Sequence, residues 1–202
     1  MRRAVAVGAW AMLAGAILAP LAIAAGSPWL AGRDPVYIIA GFAGIAALAL
    51  LLAQPLLAAG YLPGLHPVQA RRWHRMVGGG ILLGVTVHVG GLYLTSPPDT
   101  LDALLLVSPT PFSVYGVIGL WSVVLTALLV AARSRMGLRP AIWRIVHNAL
   151  AVVVVISSVV HALMIEGTMG AWSKALLCAL VLAATAIAIL HLRIVGPLLK
   201  KR

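Results

Sequence analysis

The stretch WRIVHNALAVVVVISSVVHALM, residues 143–164, determines how this chain is to be interpreted. It is long and apolar enough to cross the hydrocarbon core of a bilayer, which takes about 20 helical residues. Two histidines, His147 and His161, interrupt it fourteen residues apart. A polar ring in hydrocarbon is costly unless something satisfies it, so each histidine predicts a partner on a neighbouring helix or on a bound group.

The composition of the whole chain is that of an integral membrane protein. Of its 202 residues 62% are hydrophobic and only 9% are charged, whereas soluble domains carry about 25% charged residues. Apolar stretches separated by turn-rich breaks predict an all-α, polytopic protein that forms one six-helix transmembrane domain over residues 1–202, with no soluble domain. The expected spans lie near residues 5–25, 36–59, 76–95, 112–132, 145–165 and 174–194.

The distribution of charge predicts the orientation. All basic residues except Arg33 and Lys174 fall on one side of the predicted spans. The acidic residues all fall on the other side, at Asp34, Asp99, Asp102 and Glu166. By the positive-inside rule both termini are cytoplasmic. The net charge of +11 is therefore a topology signal, with some attraction to anionic lipid, and nucleic-acid binding is not expected.

A second pair of histidines matches the first. In WHRMVGGGILLGVTVHVGGLYL, residues 73–94, His74 and His88 are also fourteen residues apart. Fourteen residues of α-helix rise about 21 Å and return to nearly the same face. Spans three and five run parallel, so His74 lies at the depth of His147 and His88 at the depth of His161.

Two stacked imidazole pairs predict two iron porphyrins. A haem iron with two axial ligands needs one ring nitrogen on each side of the macrocycle. We therefore expect His74 and His147 to ligate an inner b-type haem, and His88 and His161 an outer one. The chain has a single cysteine and no C-x-x-C-H motif, which argues against covalent attachment.

Small and cationic residues near the histidines fit a porphyrin site. Gly78, Gly84 and Gly91 each lie about one turn from a ligand and would leave room for the macrocycle. The haem propionates would pair with nearby cations, for which the candidates are Arg71, Arg72, Arg75 and Arg144. The alternatives are that the histidines only hydrogen-bond between helices, that a Gly80–Gly84 GxxxG motif only packs helices, and that the arginines only set topology.

The remaining polar and aromatic candidates have simpler interpretations. His66 lies in a cytoplasmic loop and is expected to be solvated. His191 is expected to have an interfacial or structural role, with a quinone or partner site as the weaker alternative. Trp121 is expected to pack in the core rather than to relay electrons.

The paired histidines, with the His-Arg-x-x-Gly context at residues 74–78, resemble the ferric reductase-like transmembrane domain superfamily. That superfamily includes NADPH oxidases, ferric reductases, metalloreductases and the small haem subunit of a bacterial periplasmic methionine sulfoxide reductase system. The resemblance implies a standalone member in a bacterial inner membrane. It also implies electron transfer through two bis-histidine haems from a cytoplasmic flavin to ferric iron, dioxygen or a partner protein outside.

The chain departs from the larger members in one respect. It has no G-x-G-x-x-G dinucleotide fingerprint, so we expect an oxidoreductase or electron-transfer subunit that depends on a separate flavin reductase, reduced flavin or quinol. The small methionine sulfoxide reductase subunit commonly lacks the cytoplasmic-side histidine on span three. His74 fills that position here, so the pattern is nearer the two-haem members.

Three alternatives remain open from the sequence. The chain could be the haem-bearing anchor and electron donor of a periplasmic reductase of the methionine sulfoxide type. It could be a cytochrome b561-like quinol oxidoreductase, although the His-Arg-x-x-Gly context fits that class less well. It could also be a non-haem metal transporter, which predicts a colourless protein and leaves the equal histidine spacings unexplained.

Overall fold

The computed structural model describes residues 2–195, and all the regular structure in that range is helical. Six long helices are each long and apolar enough to cross a membrane. They are α1 (Arg2–Ala25), α2 (Pro35–Ala59), α3 (Pro67–Thr95), α5 (Pro111–Ala131), α6 (Pro140–Met164) and α7 (Ala171–Leu190), and a short helix α4 (Pro97–Leu104) lies between α3 and α5. The predicted six-span, all-α membrane fold is confirmed. The predicted cytoplasmic basic cluster at residues 200–202 lies outside the described residues.

Proline at the first helical position explains where most of these helices begin. Proline lacks the N–H that the first turn cannot use, and its fixed φ suits the helix. Thus α3 begins at Pro67 rather than near residue 76. His66 caps this helix, since its Nδ1 accepts a hydrogen bond from the Val68 N–H at 3.4 Å and its own N–H donates to the Gln69 side chain at 2.9 Å. His66 is exposed as expected, with this capping role in addition.

Two hairpins, α2–α3 and α5–α6, form the most extensive helix pairs. Helix α7 packs against α2 and α6, and α1 packs against α2 and α7. The most deeply buried large side chains, Leu177, Cys178 and Val181, lie on α7 and face this core. Within the described residues, α3 and α6 do not form an extensive contact with each other. The space between them is where the histidines meet.

The two hairpins are an internal repeat. The motif P-x-x-x-R-x-x-H opens both α3 and α6, at residues 67–74 and 140–147. A second histidine follows fourteen residues later in each helix. Because α3 and α6 run in the same direction and their histidines have the same spacing, equivalent histidines of the two helices lie at equal depths.

Side-chain contacts gather the basic segments at one end of the bundle, as the charge pattern predicts. The Tyr61 hydroxyl lies 2.5 Å from His191 Nδ1, and the two rings stack with centroids 5.3 Å apart. The Arg193 guanidinium donates to the Arg144 carbonyl at 2.9 Å. His191, which begins the π-helical turn His191–Val195, thus contacts the segment between α2 and α3 through Tyr61.

Two features differ from the sequence predictions. Helix α4 was not expected; Ser96 precedes it and donates a hydrogen bond to the Asp99 carboxylate at 2.5 Å. Trp121 was expected in the core, but it is 54% exposed. The buried face of α5 is instead formed by small residues such as Gly119 and Ser122, which leaves Trp121 on the outside of the helix.

Candidate functional site

The four predicted histidines come together as two pairs between α3 and α6. The ring centroids of His74 and His147 are 6.2 Å apart, with an angle of 65° between the ring planes. Those of His88 and His161 are 6.5 Å apart, at 77°. Imidazoles bonded to opposite sides of one metal, with bonds of about 2 Å, have centroids about 6 Å apart. Both separations therefore fit an intervening metal ion.

Three of the four rings are anchored by backbone carbonyls. His74 Nδ1 donates to the Gln54 carbonyl on α2 at 3.2 Å. His88 Nδ1 donates to Ala40 on α2 and His161 Nδ1 to Phe112 on α5, each at 2.8 Å. A carbonyl only accepts, so Nδ1 carries the proton and Nε2 of the neutral ring keeps its lone pair. This is how proteins orient a histidine whose other nitrogen binds a metal.

Gln54 holds His74 from two directions. Its backbone carbonyl accepts from the ring, and its side-chain amide donates to the His74 carbonyl at 3.3 Å. Its amide oxygen is buried and has no partner within the described residues. Gln54 thus fixes both the backbone and the side chain of His74.

Two glycines support the outer pair. A Cβ added at Gly44 on α2 would lie 2.8 Å from His88 Nδ1, and one added at Gly116 on α5 would lie 2.8 Å from the His161 ring. Each glycine lies four residues after the carbonyl that its histidine contacts, so carbonyl and glycine share one helix face. The missing side chain is what allows the ring to reach the carbonyl.

The three glycines predicted to flank the haem lie where α3 packs closely on α2. A Cβ at Gly78 would meet the Gln54 amide at 3.1 Å, and one at Gly84 would meet the Ala43 carbonyl at 3.1 Å. At Gly91 it would meet Ala40 Cβ at 2.7 Å. All these atoms belong to α2, so the glycines give α3 close packing against α2.

His147 differs from the other three histidines. Its Nδ1 is buried and has no hydrogen-bond partner within the described residues. Instead the Trp143 ring stacks on it, with centroids 5.0 Å apart and planes 8° apart. The Arg133 guanidinium lies 4.4 Å from the centre of the Trp143 ring, within the range of a cation–π interaction.

The arginines proposed for the propionates lie at the basic end of the bundle, near the pair His74–His147. Arg71, Arg72 and Arg75 are exposed on the first turns of α3, and Arg144 is exposed on the first turn of α6. The outer end has fewer cations. There, Arg33 lies over the Tyr37 ring at 5.3 Å, and the Lys174 ammonium donates to the Ile165 carbonyl.

Metal-binding clusters of another kind are absent from the described residues: no three His, Cys, Asp or Glu side chains converge there. A multi-ligand cage for a free metal ion is thus not formed in that part of the chain. A pair of imidazoles is instead a ligand set that would suit a metal whose other ligands belong to a macrocycle.

Sequence reasoning missed Gln54, Gly44, Gly116 and Trp143. The histidine anchors are backbone carbonyls, which any residue type supplies and which leave no signature in the sequence. The repeated P-x-x-x-R-x-x-H motif was the available signal. It identifies two equivalent hairpins, and it places α2 and α5 in equivalent positions beside the ligand helices.

Comparison with protein families found one match. Residues 40–158 match the model of the ferric reductase like transmembrane component, a range that includes His74, His88 and His147 and stops three residues before His161. Comparison with curated proteins gave no match, and comparison with solved structures gave none either. The match covers more than half of the chain and supports a general role in transmembrane electron transfer. The chain therefore belongs to the ferric reductase-like transmembrane component family.

Proposed function

We propose that this protein transfers electrons across the membrane on two b-type haems. His74 and His147 would hold the inner haem, and His88 and His161 the outer one. The observation that carries the proposal is the pair of imidazole separations, 6.2 and 6.5 Å, at two depths between α3 and α6. When bound, a haem with two histidine ligands supplies one-electron transfer without an open position for substrate at the iron.

The chain's own residues would position the ligands and balance charge. The carbonyls of Gln54, Ala40 and Phe112 orient three imidazoles before any metal binds, so the rings do not have to be ordered at the moment of binding. The exposed arginines at the cytoplasmic end, Arg71, Arg72, Arg75 and Arg144, would bind the anionic propionates of the inner haem.

The charge asymmetry gives the proposed direction. Electrons would come from the basic, cytoplasmic end, supplied by a separate flavin reductase, by reduced flavin or by quinol. They would leave on the acidic side to ferric iron, dioxygen or a partner protein. The proposed location is the cytoplasmic membrane of a bacterium, where the positive-inside rule applies.

The alternatives differ in how well the observations support them. A haem-bearing anchor for a periplasmic reductase would use the same histidines and differ only in its acceptor. A cytochrome b561-like oxidoreductase is disfavoured by the family match. A non-haem metal transporter is disfavoured because no cluster of three metal-binding side chains forms within residues 2–195.

Purified protein in sealed vesicles tests the proposal. Vesicles would enclose ferricyanide, an unselective one-electron acceptor, and reduced flavin would be added outside. We expect the wild-type protein to bleach the enclosed ferricyanide and the His88→Ala variant to lose this activity. Wild-type vesicles that behave like protein-free vesicles would refute the proposal. Replacing ferricyanide with a ferric chelate then separates a ferric reductase from an anchor that needs a protein acceptor.

A further inference from the structure

The contacts Arg133–Trp143 and Trp143–His147 occur where the two halves of the internal repeat differ. His74 and His147 are equivalent members of the repeated P-x-x-x-R-x-x-H motif. His74 has a carbonyl partner for Nδ1, whereas His147 has none among the residues that the structure describes. The residue one turn before the histidine also differs, since Ala70 on α3 corresponds to Trp143 on α6.

We propose that Trp143, which Arg133 contacts through a cation–π interaction, is a positioning residue that orients His147 by stacking, where the other three histidines use a carbonyl. The proposal rests on haem binding by His74 and His147. The Trp143 and His147 rings are 5.0 Å apart and nearly parallel, at 8°. Since Trp143 is one helical turn from His147, the ring lies over the imidazole without any long-range contact. Arg133, from the segment between α5 and α6, closes the stack at 4.4 Å.

The stack has a consequence for the redox chemistry of the inner site. An imidazole whose N–H donates to an acceptor is a stronger ligand, and a stronger ligand favours ferric iron and lowers the midpoint potential. His147 Nδ1 is buried and has no such acceptor within residues 2–195, and the Trp143 indole stacks on this ring. Removing the indole would admit water to Nδ1, so the inner midpoint potential would fall. The outer pair is distant and carbonyl-anchored, so its potential would not change.

The variants Trp143→Phe and Trp143→Ala compare a smaller aromatic ring over His147 with the loss of any ring there. Redox titration and electron paramagnetic resonance of the full-length, haem-loaded protein would report both haems. We expect Trp143→Ala to lower the inner midpoint potential and alter the inner low-spin signal, with the outer signal unchanged. Trp143→Phe keeps an aromatic ring over His147, so its shift should be clearly smaller.

Matched variants control for charge and for loss of a tryptophan. Arg133→Gln should shift the inner potential downward, whereas Arg135→Gln removes the same charge from the same loop with little effect. Trp73→Phe changes an exposed tryptophan at similar depth and should leave both signals in place. If Trp143→Ala does not fold, the two single variants Trp143→Phe and Arg133→Gln still test whether the stack affects the inner haem.

Two results would overturn the inference. One is a wild-type inner potential and signal in every Trp143 and Arg133 variant that folds. The other is an equal shift in Trp143→Phe and Trp143→Ala, which would show that stacking is not the means. Absence of haem from the wild-type protein would instead refute the proposed function, so the two failures can be told apart.

Discussion

Three of the four imidazoles at this site are placed by contacts on the helix behind them. The outer rings show this most simply, because carbonyl and glycine lie on the same face of one helix: Ala40 with Gly44, and Phe112 with Gly116. The histidine spacing was readable from the sequence, and the structure brings the four rings together as two pairs. The anchors were not readable, since a backbone carbonyl belongs to every residue.

Alanine at Gly44 or Gly116 should weaken the outer site selectively. The new Cβ would lie 2.8 Å from the ring of His88 or His161, so the imidazole would have to move away from its carbonyl. Loss of an orienting contact costs about 10–100-fold in metal affinity. Haem content per chain, measured as the pyridine haemochrome, should fall towards the inner haem alone.

Gly41→Ala is the matched control for this experiment. Gly41 lies on the same helix one turn from Gly44, and a Cβ there would meet nothing within 4 Å. Its haem content should equal that of the wild type. Full retention of the outer haem in both Gly44→Ala and Gly116→Ala would show that the glycines are not needed to position His88 and His161.

The crossed planes of the imidazole pairs predict a spectroscopic signature. The angles between the ring planes are 65° in the inner pair and 77° in the outer pair. Crossed axial imidazoles make a low-spin ferric haem strongly anisotropic in electron paramagnetic resonance, whereas parallel imidazoles give an ordinary rhombic spectrum. We expect two strongly anisotropic signals at low temperature, and a pair of rhombic signals would show that the rings are aligned.

At the scale of helices, α3 is positioned by its close approach to α2. Gly84 and Gly91 allow this approach, because side chains there would meet the α2 backbone and Ala40. The sequence already offered helix packing as an alternative role for the Gly80–Gly84 GxxxG motif. It could not show which face of α3 meets α2, because glycines occur around much of that helix.

Gly91→Ala should destabilise the bundle, and Gly90→Ala should not. A Cβ at residue 91 would lie 2.7 Å from Ala40 Cβ, whereas one at residue 90 would meet nothing within 4 Å. Overpacking of this kind costs about 1–3 kcal/mol. Thermal unfolding in detergent would measure it as a lower midpoint for Gly91→Ala alone. Equal midpoints for the two variants would contradict the α2–α3 packing described here.

At the scale of the whole molecule, the apolar stretches predicted the six-helix architecture. Length and hydrophobicity identified all six spans, and errors were confined to helix ends such as Pro67, where capping rather than hydropathy decides the boundary. Helix α4 is too short to be signalled by hydropathy. The fold was therefore more predictable than the site. Apolar side chains reveal a membrane span in the sequence, whereas the orientation of the histidines depends largely on backbone carbonyls, which every residue has.

The predicted orientation can be tested with introduced cysteines. The native Cys178 is only 1% exposed and gives little background. Glu166→Cys lies at an exposed position on the predicted outer side, and Arg135→Cys at an exposed position on the predicted cytoplasmic side. In intact spheroplasts a membrane-impermeant maleimide should label residue 166 and not residue 135. The reverse labelling would invert the topology and the proposed direction of electron flow.

The most direct test of the central claim is the haem content of the purified protein and of its single-histidine variants. The pyridine haemochrome should give two b-type haems per wild-type chain. His88→Ala or His161→Ala should remove only the outer haem, and His74→Ala or His147→Ala only the inner one. A wild-type chain with one haem or none, or the loss of both haems from every single variant that still folds, would contradict two independently held haems between α3 and α6.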